Sequence, residues 1–304
     1  MVSEAELRSR VSESTRVPPP PVHRSSRPSS PARAGALACA FAASACASLT
    51  YQPEAPEPEP AEAADDGRHS IPPPAPEMVL AVEDDFAVRV VTGSVTCTGA
   101  LIADNRVLTA HHCVTARSAH GEVEAREVDP SNIHVELGGD LLPWGEVSVR
   151  AIVAPSCGYT GGDGDIAILV LSRPLKGIPL RSVDLDGEPA KGDALYPLGF
   201  GRCADASDGT YRKRRAGSSV QRVLDGRLEF NAAVCPGDSG GPALSEATGK
   251  IVGVVSRSVM DANEATLGLT ELVRVDSFRS LFSSAAQIAS GVSPAELPPV
   301  SCRR

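Results

Sequence analysis

Aromatic side chains are scarce in this chain, with one Trp, four Tyr and six Phe, together 4% of residues. Any core must therefore be filled by Val, Leu, Ile and Ala. The main apolar run, residues 34–46, is shorter than the roughly 20 residues that a membrane-spanning helix needs. No Cys-x-x-Cys pair occurs, which argues against a zinc site. Basic charge is not in excess either. The net charge is −9 and the pI about 5.2. Six Arg against three Glu in the first 45 residues leave the remainder more acidic than the total. An acidic body speaks against a nucleic-acid partner.

What is present points to β structure. Hydrophobic residues make up 42% of the 304, enough for a packed core in one or two domains. Valine is frequent, and 27 Gly and 26 Pro punctuate the chain. Eight cysteines divide into Cys39 and Cys46 near the start and six in the body. An even number without metal spacing suits disulfides in an oxidising compartment.

The chain divides by texture. Residues 1–46 run from a basic Pro/Ser-rich stretch into an Ala-rich apolar segment ending in small residues, the order of an export signal. Ala43-Ser44-Ala45-Cys46 resembles a lipoprotein cleavage box, which would make Cys46 a lipidated residue and tether the protein to a membrane; simple secretion is the other route. Both place the protein outside the cytoplasm, extracellular or in the cell envelope. Residues 47–77 are dense in Pro and Glu and are expected to be an extended, solvated linker. Residues 78–290 carry the globular domain and 291–304 a tail.

Within the domain, short β-branched runs alternate with turn residues: Phe86–Val91, Ala100–Ile102, Val107–Thr109, Ile133–Leu137, Val147–Val153, Ile166–Leu171, Ala194–Leu198, Ser219–Leu224, Arg227–Phe230, Pro242–Leu244 and Ile251–Val255. This spacing predicts an antiparallel barrel or sandwich. A helix is expected over Asp276–Ile288, capped by Asp276 or Ser277. The basic run Tyr211-Arg212-Lys213-Arg214-Arg215 reads as a solvated loop or strand edge.

Three motifs carry chemistry. Cys235-Pro236-Gly237-Asp238-Ser239-Gly240-Gly241-Pro242 presents a hydroxyl on a glycine-rich turn with several backbone N–H groups nearby, the needs of an acyl-transfer site. Cys97 and Cys113 bracket a strand, turn and strand, and a Cys97–Cys113 disulfide would pin His111-His112. Asp165 enters the wholly apolar run Ile166–Leu171, where an ionised carboxylate needs a partner such as an imidazole N–H. Asp163, two residues earlier, reads as an ordinary turn acid. A nucleophile elbow of the α/β-hydrolase kind would share Gly237-x-Ser239-x-Gly241. That fold needs a histidine after the serine, and none follows His134.

In this order the motifs resemble the trypsin/chymotrypsin family of serine endopeptidases: Leu108-Thr109-Ala110-His111-His112-Cys113, then Asp165-Ile166-Ala167-Ile168-Leu169, then Gly237-Asp238-Ser239-Gly240-Gly241-Pro242. The resemblance implies an all-β fold of two six-stranded antiparallel barrels, an active site between them and a C-terminal helix. It implies that Ser239 is the nucleophile, His112 the general base and Asp165 the orienting acid. Gly237 and Ser239 would form the oxyanion hole, and Ser256 would lie against Asp165. It implies a monomer acting on protein or peptide substrates, with no cofactor and no metal. A family member that kept the fold and lost turnover, serving as a binding protein, is the alternative.

Further implications follow residue by residue. Cys203 follows Gly199-Phe200-Gly201, a turn that in the family approaches the segment of Cys235, so the resemblance implies Cys203–Cys235 and leaves Cys157 with Cys302. Ala233 stands where trypsin-like members carry Asp, and Ser256, Ser258 and Thr270 line the same substrate pocket, so uncharged side chains of small or medium size are expected there. Relatives start the mature enzyme with Ile-Val-Gly-Gly, whose amino group pairs with the Asp before the nucleophile. Here Ile71 precedes Pro72-Pro73-Pro74. The sequence identifies no partner for Asp238.

Overall fold

The structure is a computed structural model, and it describes residues 82–139, 142–203, 211–260 and 266–302. The export segment and linker lie outside the described residues. Among those described, no helix is long and apolar enough to cross a membrane.

Six antiparallel strands close the first barrel: β1 (Ala87–Thr92), β2 (Val95–Ala103), β3 (Arg106–Thr109), β6 (Ile133–Leu137), β7 (Gly145–Val153) and β8 (Ala167–Leu171), joined in the order β1-β2-β3-β8-β7-β6. A small hairpin, β4 (Thr115–Arg117) with β5 (Val123–Glu127), stands outside it. The second barrel runs β9 (Ala194–Gly199), β11 (Ser218–Leu224), β12 (Arg227–Asn231), β15 (Thr266–Arg274), β14 (Ile251–Met260) and β13 (Pro242–Ser245). It is closed by pairing of β13 with β9. The short β10 (Lys213–Arg214) also pairs with β9.

Alternation builds the walls. In β6, Ile133, Val135 and Leu137 are buried while His134 and Glu136 are partly exposed. β8 breaks that rule because both of its faces are covered: Ala167–Leu171 are all buried. One face meets the barrel interior and the other lies under the C-terminal helix α1 (Arg279–Ala289), which packs on β7 and β8. Phe278, Leu281, Phe282, Ala285 and Ile288 thereby join the first barrel's core. The second barrel's core is separate, with Leu195, Val220, Leu228, Phe230 and Leu272 among its members.

The helix differs from the expected span. Asp276–Phe278 form a 3-10 turn and α1 begins only at Arg279, with no side-chain cap. Asp276 instead receives Nη2 of Arg274 at 2.6 Å, which takes its carboxylate away from the helix end. Arg150 serves the other end, its Nη2 donating to the carbonyls of Ile288 and Ala289 at 2.8 and 3.0 Å.

Disulfides join Cys97–Cys113, Cys157–Cys302 and Cys203–Cys235. The basic run 211–215 includes an edge strand, β10, with Tyr211 and Arg214 exposed, but its arginines are paired and not free in water. Arg212 reaches Asp85 at 2.6 Å and Arg214 reaches Asp84 at 2.8 Å, which ties the lead-in turn Glu83–Phe86 to the second barrel.

Candidate active site

The two barrels contribute different chemical groups to their junction. β3 ends at Thr109, and a 3-10 turn over His111–Val114 follows, held by the Cys97–Cys113 disulfide to β2. His112 sits on this turn with its side chain 18% exposed. Asp165, whose side chain is fully buried, immediately precedes the buried run into β8. His112 Nδ1 lies 2.8 Å from Asp165 Oδ2, and the His112 backbone N–H donates to Oδ1 at 2.9 Å. A carboxylate only accepts, so Nδ1 carries the proton and Nε2 is left basic. Ser256, on β14, donates its Oγ–H to Asp165 Oδ2 at 2.5 Å and accepts from the Gly162 N–H at 3.0 Å. Every contact of the buried carboxylate is thus with a donor, which offsets its desolvation.

Ser239 comes from the second barrel, just before β13. It lines the same cleft as His112, together with Cys97, Arg117, Phe200, Arg202 and Gly237. The turn that carries it is bolted to the first barrel through Thr98 on β2. The Thr98 N–H donates to the Ser239 carbonyl at 2.8 Å, and its Oγ1–H donates to the Gly237 carbonyl at 2.7 Å while accepting from the Phe200 N–H at 3.0 Å. Thr98 is fully buried. Gly237 has φ +102°, a conformation open to glycine and costly for other residues. Along the turn the N–H groups of Asp238, Gly240 and Gly241 donate to the carbonyls of Cys235, Val255 and Asp238.

Asp238, between Gly237 and Ser239, has a partner that the sequence did not reveal. Arg215 Nη2 donates to its Oδ1 at 2.9 Å, and Arg215 Nε lies 2.8 Å from Oδ2. The basic run was the available signal, but nothing in the linear order shows which of its arginines turns inward.

The expected pocket residues are spread in exposure. Ala233 is exposed, Ser258 half-buried and Thr270 fully buried, with its Oγ1–H donating to the Ala232 carbonyl at 2.8 Å. Beside them runs a charged ladder: Arg257 Nη2 to Glu271 at 2.6 Å, Arg227 Nη1 to Glu271 at 3.2 Å, and Arg227 Nε to Asp163 at 2.7 Å. Burial pushes the Glu271 carboxyl up, but the Arg257 and Arg227 guanidiniums outweigh it and hold the group below its ordinary value. His111 has a structural part. Its ring is buried, with Nδ1 2.6 Å from the Cys157 carbonyl and Nε2 2.9 Å from Glu127.

An imidazole–carboxylate pair from one antiparallel barrel facing a serine from the next is the arrangement of the trypsin-like serine protease fold. The likeness extends to sequence: the Trypsin family model matches residues 81–281, and the chain belongs to that family. It is 29% identical to the cercarial protease of Schistosoma mansoni over 207 residues, covering 58% of this chain and 76% of that protein. It is 26% identical to a trypsin of Saccharopolyspora erythraea over 194 residues, covering 56% and 80%. Among solved structures, the scabies mite inactivated protease paralogue superposes with a TM-score of 0.53 at 20% identity, covering 68% of this chain and 96% of that one.

Proposed function

We propose that this protein is a serine endopeptidase that cleaves peptide bonds through an acyl-enzyme. The observation that carries the proposal is the His112–Asp165 pair, 2.8 Å apart and backed by Ser256, in a cleft that Ser239 also lines. Ser239 Oγ attacks the scissile carbonyl while His112 Nε2 takes its proton. The N–H groups of Gly237 and Ser239, which donate to no acceptor among the described residues, receive the oxyanion. His112 then protonates the leaving amine, and water repeats the cycle on the acyl-enzyme. Asp165 holds the tautomer and stabilises the imidazolium.

The proposed pocket of Ala233, Ser256, Ser258 and Thr270 contains no carboxylate, and the neighbouring Glu271 is already held by two guanidiniums. Small or medium uncharged side chains are therefore proposed as substrates, with Arg and Lys disfavoured. Export by simple secretion, or with a lipidated Cys46, is part of the same proposal, and the three disulfides fit it.

The test is labelling with a fluorophosphonate. The unmutated protein is expected to label, and Ser239→Ala to lose all labelling while melting at the same temperature. A protein that is folded and never labels would favour the alternative of a binding protein without turnover; the scabies mite paralogue of the same fold is an inactivated protease.

A further inference from the structure

Asp238 is the most enclosed charge in the nucleophile turn, its side chain 1% exposed. An ionised carboxylate there must find its partners inside the fold. Oδ1 accepts from the Gly201 N–H at 2.8 Å and from Arg215 Nη2 at 2.9 Å. Oδ2 accepts from the Cys235 N–H at 2.8 Å, and Arg215 Nε lies 2.8 Å from it, off the line of its own N–H. A carboxylate offers about four acceptor positions. Here three are met by donors from the chain's own interior, and the charge is balanced by one guanidinium.

Arg215 is itself held in place. Its backbone N–H donates to the Pro197 carbonyl at 2.8 Å, and Nη2 also reaches the Gly201 carbonyl at 2.5 Å. Nη1 lies 3.9 Å from Cys203 Sγ, beside the Cys203–Cys235 disulfide. Its side chain is 10% exposed. Room for the ion pair depends on Gly201, where a Cβ would stand 2.5 Å from the Asp238 carboxyl carbon.

The position of this carboxylate matters because of its neighbours in sequence. The peptide unit after Asp238 carries the N–H of Ser239, the unit before it carries the Asp238 N–H that donates to the Cys235 carbonyl at 2.9 Å, and the Gly237 N–H lies one unit further back in the same turn. Where the side chain is held decides how those units face. We propose that Arg215 is the positioning residue that keeps the turn 237–239 in its reactive shape, in the role that an amino terminus released by cleavage would otherwise fill. The uncleaved chain is then competent without processing upstream. This inference rests on the endopeptidase reading above.

The test uses the full chain, with the segment upstream of Val82 either intact or removed by a protease site placed before it. Fluorophosphonate labelling and hydrolysis of a peptide ester are followed in both forms. The intact unmutated chain is expected to label at a rate within about threefold of the cleaved one. Arg215→Gln is expected to lower kcat on the order of 100- to 1000-fold, the loss typical of one misplaced oxyanion donor, with KM changed much less. Arg215→Lys keeps the charge and is expected to recover labelling to within about tenfold of the unmutated rate. It also serves where Arg215→Gln fails to fold. Labelling that appears only after upstream cleavage overturns the inference and leaves the endopeptidase reading standing. So does an Arg215→Gln protein that labels at the unmutated rate, or a folded Arg215→Lys protein that does not label. A folded protein that labels in neither form removes both.

Discussion

At the scale of single residues, burial decides which charges matter. Asp165 is fully enclosed and meets only donors, so it fixes which nitrogen of His112 faces it with a proton. Asp165→Asn keeps the shape but presents an amide, and kcat is expected to fall about 10,000-fold with little change in KM, as measured by steady-state ester hydrolysis. Glu271 shows the same physics nearer the surface. Two guanidiniums hold its folded-state pKa below the ordinary 4.5. A depressed carboxyl stabilises the fold fully above that ordinary value and loses its contribution as pH falls through the folded one. Glu271→Gln should therefore lower Tm at pH 7, by a margin that shrinks as pH falls below 4.5, as followed by thermal melts across that range. The pairing of His112 with Asp165 was legible because each stands in a short local motif. The partner of Asp238 was not, since Gly201 and Arg215 reach it from separate segments.

At the scale of elements, the strands with apolar alternation were readable and several of the short or polar ones were not. Ala167–Leu171 reads as a strand in sequence because a helix and a barrel cover both its faces. β15 carries Gly268, Thr270 and Glu271, and takes its strand conformation from pairing with β12 and β14. β10 is two basic residues long and exists through its pairing with β9. The basic run at 211–215 reads as solvated because the acidic partners of Arg212 and Arg214 lie more than 100 positions away, at Asp85 and Asp84. Its two outer pairs differ in depth. Arg212 and Asp85 are 8% and 9% exposed, whereas Arg214 and Asp84 are 49% and 22% exposed. Arg212→Ala strands a buried carboxylate and is expected to cost about 3–5 kcal/mol. Arg214→Ala breaks a solvent-screened pair and is expected to cost less than about 1 kcal/mol. Urea unfolding of the two variants separates these values.

At the scale of the molecule, the candidate site is a product of two barrels brought together, and the covalent links reach across the chain. Cys157–Cys302 spans 145 residues and ties the segment leading to Asp165 to the end of the described chain. In the chain-entropy model, closing a loop of this size stabilises by about 5 kcal/mol. A Cys157→Ser, Cys302→Ser protein is expected to lose stability of that order in urea unfolding without reductant, and a loss under about 1 kcal/mol would contradict the model. The sequence by itself determined the strand-rich class, the order His112, Asp165, Ser239 and, through that order, the family. These are local patterns, written in hydrophobic alternation and short motifs around single reactive groups. Only the tertiary structure decided which donors surround Asp238, which arginines of the basic run turn inward, and that Thr98 bolts the turn of Ser239 to the first barrel. Those contacts are electrostatic and long in sequence separation. A charged side chain carries no mark of its partner until the fold removes both from water.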